Sequence, residues 1–154
     1  DIIYLKGIRL STYDDIKDLR ERRAIEYLAT LGYFGKGSRF EPQKNISRAE
    51  FASLLVRLSG RKTQQVLSAP YPDVAAGNAA APAIQLLKEN NIFGDITSFR
   101  PDASLTQAEA AAWFKKVSRV DIEIDQNENL KKVDAVRWIA QDSRVQKQIS
   151  ELRS

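Results

Sequence analysis

Two stretches of the chain carry apolar residues at helical spacing. Phe51, Leu54, Leu55 and Leu58 fall at i, i+3, i+4 and i+7, and Ala110, Trp113, Phe114 and Val117 repeat the stripe 59 residues later. A start signal precedes each stripe. Ser47-Arg48-Ala49-Glu50 and Thr106-Gln107-Ala108-Glu109 fit a capping box, in which the hydroxyl accepts from the N3 amide and the Glu returns to the N-cap amide. Ile46 and Phe51 add the spacing of a hydrophobic staple. Both helices are predicted to bury their stripes. A shorter helix is predicted ahead of each, on Leu19, Ile25 and Leu28 and on Ala80, Ile84 and Leu87, ending where Gly32 or Asn91 can take a left-handed C-cap. The loops between, Tyr33 to Pro42 and Ile92 to Pro101, carry aromatics suited to plugging the core and a Gly suited to a turn.

These elements are two copies of one unit. A shift of 59 residues aligns 24–58 with 83–117 without a gap, and ten of the 35 positions are identical, among them Phe34/Phe93, Phe40/Phe99, Pro42/Pro101 and Glu50/Glu109. Tyr13-Asp14-Asp15-Ile16 also aligns with Tyr71-Pro72-Asp73-Val74 after one residue of slippage. The predicted fold is mainly α: tandem helix-loop-helix repeats packed into one pseudo-symmetric helical unit. The division is an N-terminal extension at 1–12, repeat 1 at 13–60, a linker at 61–70, repeat 2 at 71–118, a linker at 119–129, and a degenerate third repeat or closing helices at 130–154. In that tail, Ala135 to Ala140 echoes Ala24 to Ala29 in residue type, and Val145, Ile149 and Leu152 predict a last amphipathic helix. Ile2 to Leu10 is apolar but aperiodic and fits a strand or a helix equally.

Composition narrows the chemistry. The 154 residues contain no cysteine and no histidine, which excludes thiol chemistry, disulfides, Cys/His zinc sites and histidine-based triads. No apolar run reaches the roughly 18 residues of a membrane span. The net charge of +4 lies on the first two thirds, a weak pointer to an anionic partner, with a plain solvated surface as the alternative. No pair of carboxylates stands out for glycosidic chemistry, no loop has the Asp/Asn alternation of a calcium site, and about 15 residues between helices is too long for a helix-turn-helix. A non-catalytic protein without metal, cofactor or nucleic-acid partner is expected. The start at Asp1, with no signal peptide visible, fits a piece of a longer chain.

The repeated order of aromatic-x-Asp-aliphatic, Ala-Ile helix, Gly loop, Phe-x-Pro and [Ile/Leu]-[Ser/Thr]-x-Ala-Glu resembles the S-layer homology domain family. The likeness covers roughly 13–58 and 71–117, and its most specific piece is Ile46-Ser47-Arg48-Ala49-Glu50, similar to the family's Thr-Arg-Ala-Glu signature. The resemblance implies a helical module that anchors surface proteins non-covalently to the bacterial cell wall. The partner it implies is an anionic secondary wall polysaccharide or peptidoglycan glycan, and the location the extracellular cell surface, within a larger surface protein. The alternative is a protein–protein scaffold in which glycan binding has been lost.

Candidate binding residues follow from the asymmetry between copies. Positions 36, 39 and 48 are Lys, Arg and Arg in the first, while 95, 98 and 107 are Asp, Ser and Gln in the second. Arg48 at N1 opposes the helix dipole, so local stability does not ask for it. Beside helix N-terminal amides it suits a carboxylate or phosphate. The expected site joins Arg48 to the loop of Gly35, Lys36 and Arg39, with Ser47 and Glu50 at its edge. On this reading Arg48→Ala weakens binding and barely affects stability; the alternative pairs Arg48 with Glu41 or Glu50. Ser47, Thr106, Glu50 and Glu109 have a full explanation as caps. Trp113 and Trp138 lie on apolar stripes and are expected in the core, and Asp15 and Asp73 are expected to cap helices or brace loops.

Overall fold

A computed structural model describes residues 4–5 and 8–153. It is mainly helical: α1 (Arg22–Thr30), α2 (Arg48–Ser59), α3 (Ala81–Glu89), α4 (Gln107–Ser118), α5 (Lys132–Ile139) and α6 (Ser143–Arg153). Ahead of them, β1 (Tyr4–Leu5) and β2 (Ile8–Arg9) form a two-stranded antiparallel ribbon with Tyr4 opposite Arg9, so these four residues are extended, while Ile2, Ile3, Lys6 and Gly7 lie outside the described residues. Leu19 precedes α1 in a short turn, outside the helix expected to carry it.

The chain forms two compact units. One is built from the chain up to Lys44 together with the chain from Lys131 onward; the other is Asn45–Leu130. The spatial grouping therefore cuts through the sequence repeats: α1 packs with α5 in the first unit, while α2 packs with α3 and α4 in the second. In the first unit Tyr13, Ile16, Ile25, Leu28, Phe40, Val136 and Ile139 are buried. In the second, the α2 stripe of Phe51, Leu54, Leu55 and Leu58 is buried as its periodicity predicts. The α4 stripe is buried at Ala110, Trp113 and Phe114, while Val117, in the last turn, is only half-buried.

Both first helices stop as expected. Gly32 (φ 90°) and Asn91 (φ 61°) take left-handed backbone, and the next amides, Tyr33 and Ile92, reach back to the carbonyls of Leu28 and Leu87 at 2.9 and 3.0 Å.

The starts of α2, α4 and α5 share one construction, and this corrects the register of the tail. Ile46, Leu105 and Leu130 each precede an N-cap and are 0–1% exposed. Within the second unit the Ile46 amide donates to the Leu130 carbonyl (2.9 Å), and the Leu130 amide to the Leu105 carbonyl (2.7 Å). Leu130-Lys131-Lys132-Val133-Asp134 thus stands where Ile46-Ser47-Arg48-Ala49-Glu50 stands. α5 is the counterpart of a second helix, not of the first helix that Ala135 to Ala140 resembles in composition.

Capping differs among the three starts. Ser47 and Glu50 form the complete box, the Glu50 amide donating to Ser47 Oγ and the Ser47 amide to Glu50 Oε1, both at 3.1 Å. At α4 only Thr106 Oγ1 accepts, from the Glu109 amide at 3.3 Å, and the expected return bond is replaced by another partner of Glu109. At α5 the lysine at the N-cap has nothing to accept with, so only the return half forms, Lys131 amide to Asp134 Oδ2 at 2.9 Å.

Candidate functional site

In the first unit, the loop after α1 is held by side chains from several segments. The Tyr13 hydroxyl donates to the Gly35 carbonyl (2.6 Å) and the Asp14 amide to the Ser38 carbonyl (2.7 Å). Asp15 accepts from the amides of Phe40 and Glu41, both at 2.8 Å, across the dipeptide that leads into Pro42 and puts Glu41 at φ 60°. Two charge-assisted bonds hold this left-handed residue, which a non-glycine side chain disfavours. Desolvation raises the Asp15 pKa, but the Phe40 and Glu41 amides outweigh it and leave the carboxyl below its ordinary value. Burial, then the Asp15 charge, push the Tyr13 phenol up, so it stays a neutral donor.

This frame leaves Gly35, Lys36 and Arg39 exposed. Arg39 is 69% exposed as a side chain, with its nearest carboxylate, Asp15, at 3.9 Å. A cavity of about 410 Å³ opens beside the loop, lined by Arg9, Leu10, Ser11, Thr12, Tyr13, Lys36 and Gly37. Arg9, Lys36, the Ser11 hydroxyl and exposed loop backbone can take up an anionic ligand, the Tyr13 and Thr12 hydroxyls being spent on Gly35 and Glu26. Behind the wall, Glu26 is 1% exposed and accepts from Thr12 Oγ1 (2.5 Å), Arg23 Nη1 (2.6 Å) and Arg22 Nε (3.2 Å). Its pKa is lowered although desolvation acts the other way, because these hydrogen bonds win.

The second copy keeps the frame and drops the charge. Asp73 accepts from the amides of Phe99 (2.9 Å) and Arg100 (2.8 Å), Arg100 has φ 56°, and hydrogen bonding from the Phe99 amide leads the causes that lower the Asp73 pKa. Both aspartates therefore brace loops, one of the two roles expected of them. Asp95 and Ser98 stand where the first copy has Lys36 and Arg39.

Arg48 is not at an open anion site. Its residue is 1% exposed inside the second unit. Nε donates to the Phe99 carbonyl (2.6 Å), Nη1 to Glu109 Oε1, and the guanidinium carbon lies 5.3 Å from the Phe99 ring centre and 5.1 Å from that of Trp113. The carboxylate partner is Glu109 rather than Glu41 or Glu50, which also explains the missing half of the α4 cap: a buried guanidinium is a stronger donor than a neutral amide. The neighbouring amides are spent too, Arg48 on the Ala103 carbonyl (2.9 Å) and Ala49 on the Pro101 carbonyl (3.0 Å). The expectation that Arg48→Ala would leave stability untouched rested on exposure, and burial removes that basis. Ser47 and Glu50 are taken up by their box, and Trp113 and Trp138 lie in the core at 3% and 6% exposure.

Sequence reasoning missed Lys132. Its Nζ donates to the Phe40 carbonyl (2.6 Å) and lies 4.4 Å from the Phe40 ring centre, and its own amide donates to the Lys44 carbonyl (3.0 Å). The signal was present as a cation two residues after Leu130, the spacing of Arg48 from Ile46. Among the described residues no cluster of acidic groups is arranged to hold a metal ion, and no helix is long and apolar enough to cross a membrane.

Fold and site define a helical repeat module with a braced, basic loop. The sequence model of the S-layer homology domain matches residues 12–52 and 70–111, more than half of the chain, and the chain belongs to that family. It is 37% identical over 108 residues to endo-1,4-beta-xylanase A of Thermoanaerobacterium saccharolyticum, a match covering 68% of this chain and 9% of the xylanase. It is 35% identical to the amylopullulanase of Thermoanaerobacterium thermosulfurigenes over 66% of this chain and 6% of that protein. A cellulosome-anchoring protein of Acetivibrio thermocellus is 31% identical over 64% of this chain and 24% of its own length. The chain thus spans less than a quarter of each of these relatives.

Proposed function

We propose that the chain is a non-catalytic attachment module at the bacterial cell surface, binding an anionic cell-wall glycan non-covalently through the first-copy loop. Family membership supports attachment, as does the small share of large proteins, one named as an anchoring protein, that the matching region occupies. The observation that carries the loop assignment is the exposed pair Lys36 and Arg39 on a hydrogen-bonded frame beside a cavity, where the second copy presents Asp95 and Ser98. The larger protein that this module serves would supply any catalysis.

Retention on purified cell-wall sacculi, before and after removal of the secondary polymer, tests the reading. Binding is expected to need the polymer, to fall as salt rises, and to fall further in Lys36→Ala/Arg39→Ala. Retention that ignores both polymer and salt would favour a second reading, a protein–protein scaffold. The withdrawal of Arg48 into the interior favours that alternative, since it removes one cation from the expected groove.

A further inference from the structure

We infer that Lys132, in the tail that lacks a loop of its own, is a positioning residue for the first-copy binding loop. The inference rests on the reading of that loop as the ligand site, and its evidence is a construction that occurs twice. In the second unit a cation at N1 of α2, Arg48, donates to the carbonyl of the Phe-x-Pro phenylalanine, Phe99, and lies over its ring, while the N1 and N2 amides bond Ala103 and Pro101. In the first unit a cation at N1 of α5, Lys132, donates to the Phe40 carbonyl and lies over its ring, while the N1 and N2 amides bond Lys44 and Pro42 at 3.0 Å. Residues 42 and 44 are the repeat equivalents of 101 and 103.

The two clasps do different work. Arg48 closes on a loop without exposed cations at the equivalent positions, whereas Lys132 closes on the loop that displays Lys36 and Arg39. Lys132 fixes the loop at Phe40, directly after Arg39, from the face opposite to the Asp15 brace in bonding terms: Asp15 takes the Phe40 amide and Lys132 takes its carbonyl. A residue held at both its amide and its carbonyl, with a cation over its ring, leaves little freedom to reorient the residue before it. The α4 start shows what occurs without a cation. Gln107 stands at N1, and its amide and that of Ala108 are met by the Glu128 carbonyl (2.8 Å) and Asn127 Oδ1 (3.0 Å) from the linker.

The test uses the full chain, intact and polymer-stripped sacculi, and the variants Lys132→Met, Lys132→Arg and Lys36→Ala/Arg39→Ala. Lys132→Met should weaken polymer-dependent binding about tenfold, the scale of one cation–π contact with its hydrogen bond. Lys132→Arg, which keeps charge and donors, should restore most of it. Hydrogen exchange at the Phe40 and Glu41 amides should speed up in Lys132→Met while α2 and α4 amides stay unchanged. Should Lys132→Met fail to fold, Lys132→Gln, with a donor but no charge, takes its place in both measurements. Wild-type binding in Lys132→Met, or unaltered exchange at Phe40 and Glu41, overturns the inference while the loop reading stands. Wild-type binding in Lys36→Ala/Arg39→Ala overturns the loop reading itself.

Discussion

Arg48 shows how far a single residue can be misread from local sequence. A cation at N1 looks like a liability needing an external anion until its real partners are in view: a carbonyl, two ring faces and a carboxylate, all from the other copy. Arg48→Ala should therefore destabilise by about 2–4 kcal/mol in urea unfolding, through lost bonds and a void. Gln107→Ala, at the equivalent half-buried position, should stay within about 0.5 kcal/mol, because its backbone rather than its side chain makes the contact. The aspartate braces give a pH test. With Asp15 ionising at lower pH in the folded chain than its ordinary 3.8, its contribution is complete above the unfolded pKa. It is lost as pH falls through the folded one. Unfolding free energies of wild type and Asp15→Asn from urea titrations should differ at pH 6, by about 1–2 kcal/mol for a brace bond lost, and converge towards pH 3. A gap that widens on acidification would contradict this assignment.

Elements were legible where their signals are local. The stripes of α2 and α4, the Ser47–Glu50 box and the left-handed stops at Gly32 and Asn91 need only a few neighbouring residues, and all appear as read except Val117, which ends the α4 stripe half-buried. α5 was misregistered because Lys131 holds a position that elsewhere carries a hydroxyl, and no loop precedes it to fix the alignment. Completing its cap is a direct check: Lys131→Ser, with Asp134 already returning to the N-cap amide, should stabilise by about 0.5–1 kcal/mol in thermal or urea unfolding. The ends of α2 and α4 offer another. Gly60 (φ 71°) and Arg119 (φ 67°) are repeat equivalents in left-handed backbone, and only glycine adopts it without penalty. Arg119→Gly should raise the melting temperature, worth about 0.5–1 kcal/mol; a lower one would mean that the arginine side chain contributes more than its backbone costs.

At the scale of the whole molecule, sequence similarity located the duplicated segments but not how they are grouped in space. Similarity follows descent along the chain, whereas packing follows which apolar faces meet, and α2 meets α3 and α4 while α1 meets α5. The portion Asn45–Leu130 holds its own aromatic core, with Phe93 and Trp113 rings 4.7 Å apart and Phe99 5.9 Å from Trp113. Expressed alone, it should fold cooperatively with a buried Trp113, read from blue-shifted tryptophan emission. The chain up to Lys44 alone should not fold, since α1 packs on a helix that lies beyond residue 130. An unfolded 45–130 fragment would show that the grouping carries no independent stability.

The hydrogen bond from Ile46 to Leu130 bears on the order of events as the chain leaves the ribosome. Residues up to Lys44 emerge before the segment from Lys131 onward, with which they are grouped. Roughly 86 residues separate the two. Had that intervening stretch remained a random coil, bringing its ends together would cost loop-closure entropy that grows with the logarithm of its length. Once the stretch has folded, its second residue and its last are bonded at 2.9 Å, and the separation shrinks to that of a turn. The saving is about 2–3 kcal/mol, so the early segment is an idle strand until the middle of the chain has finished, and then closes as though its partner were next in line.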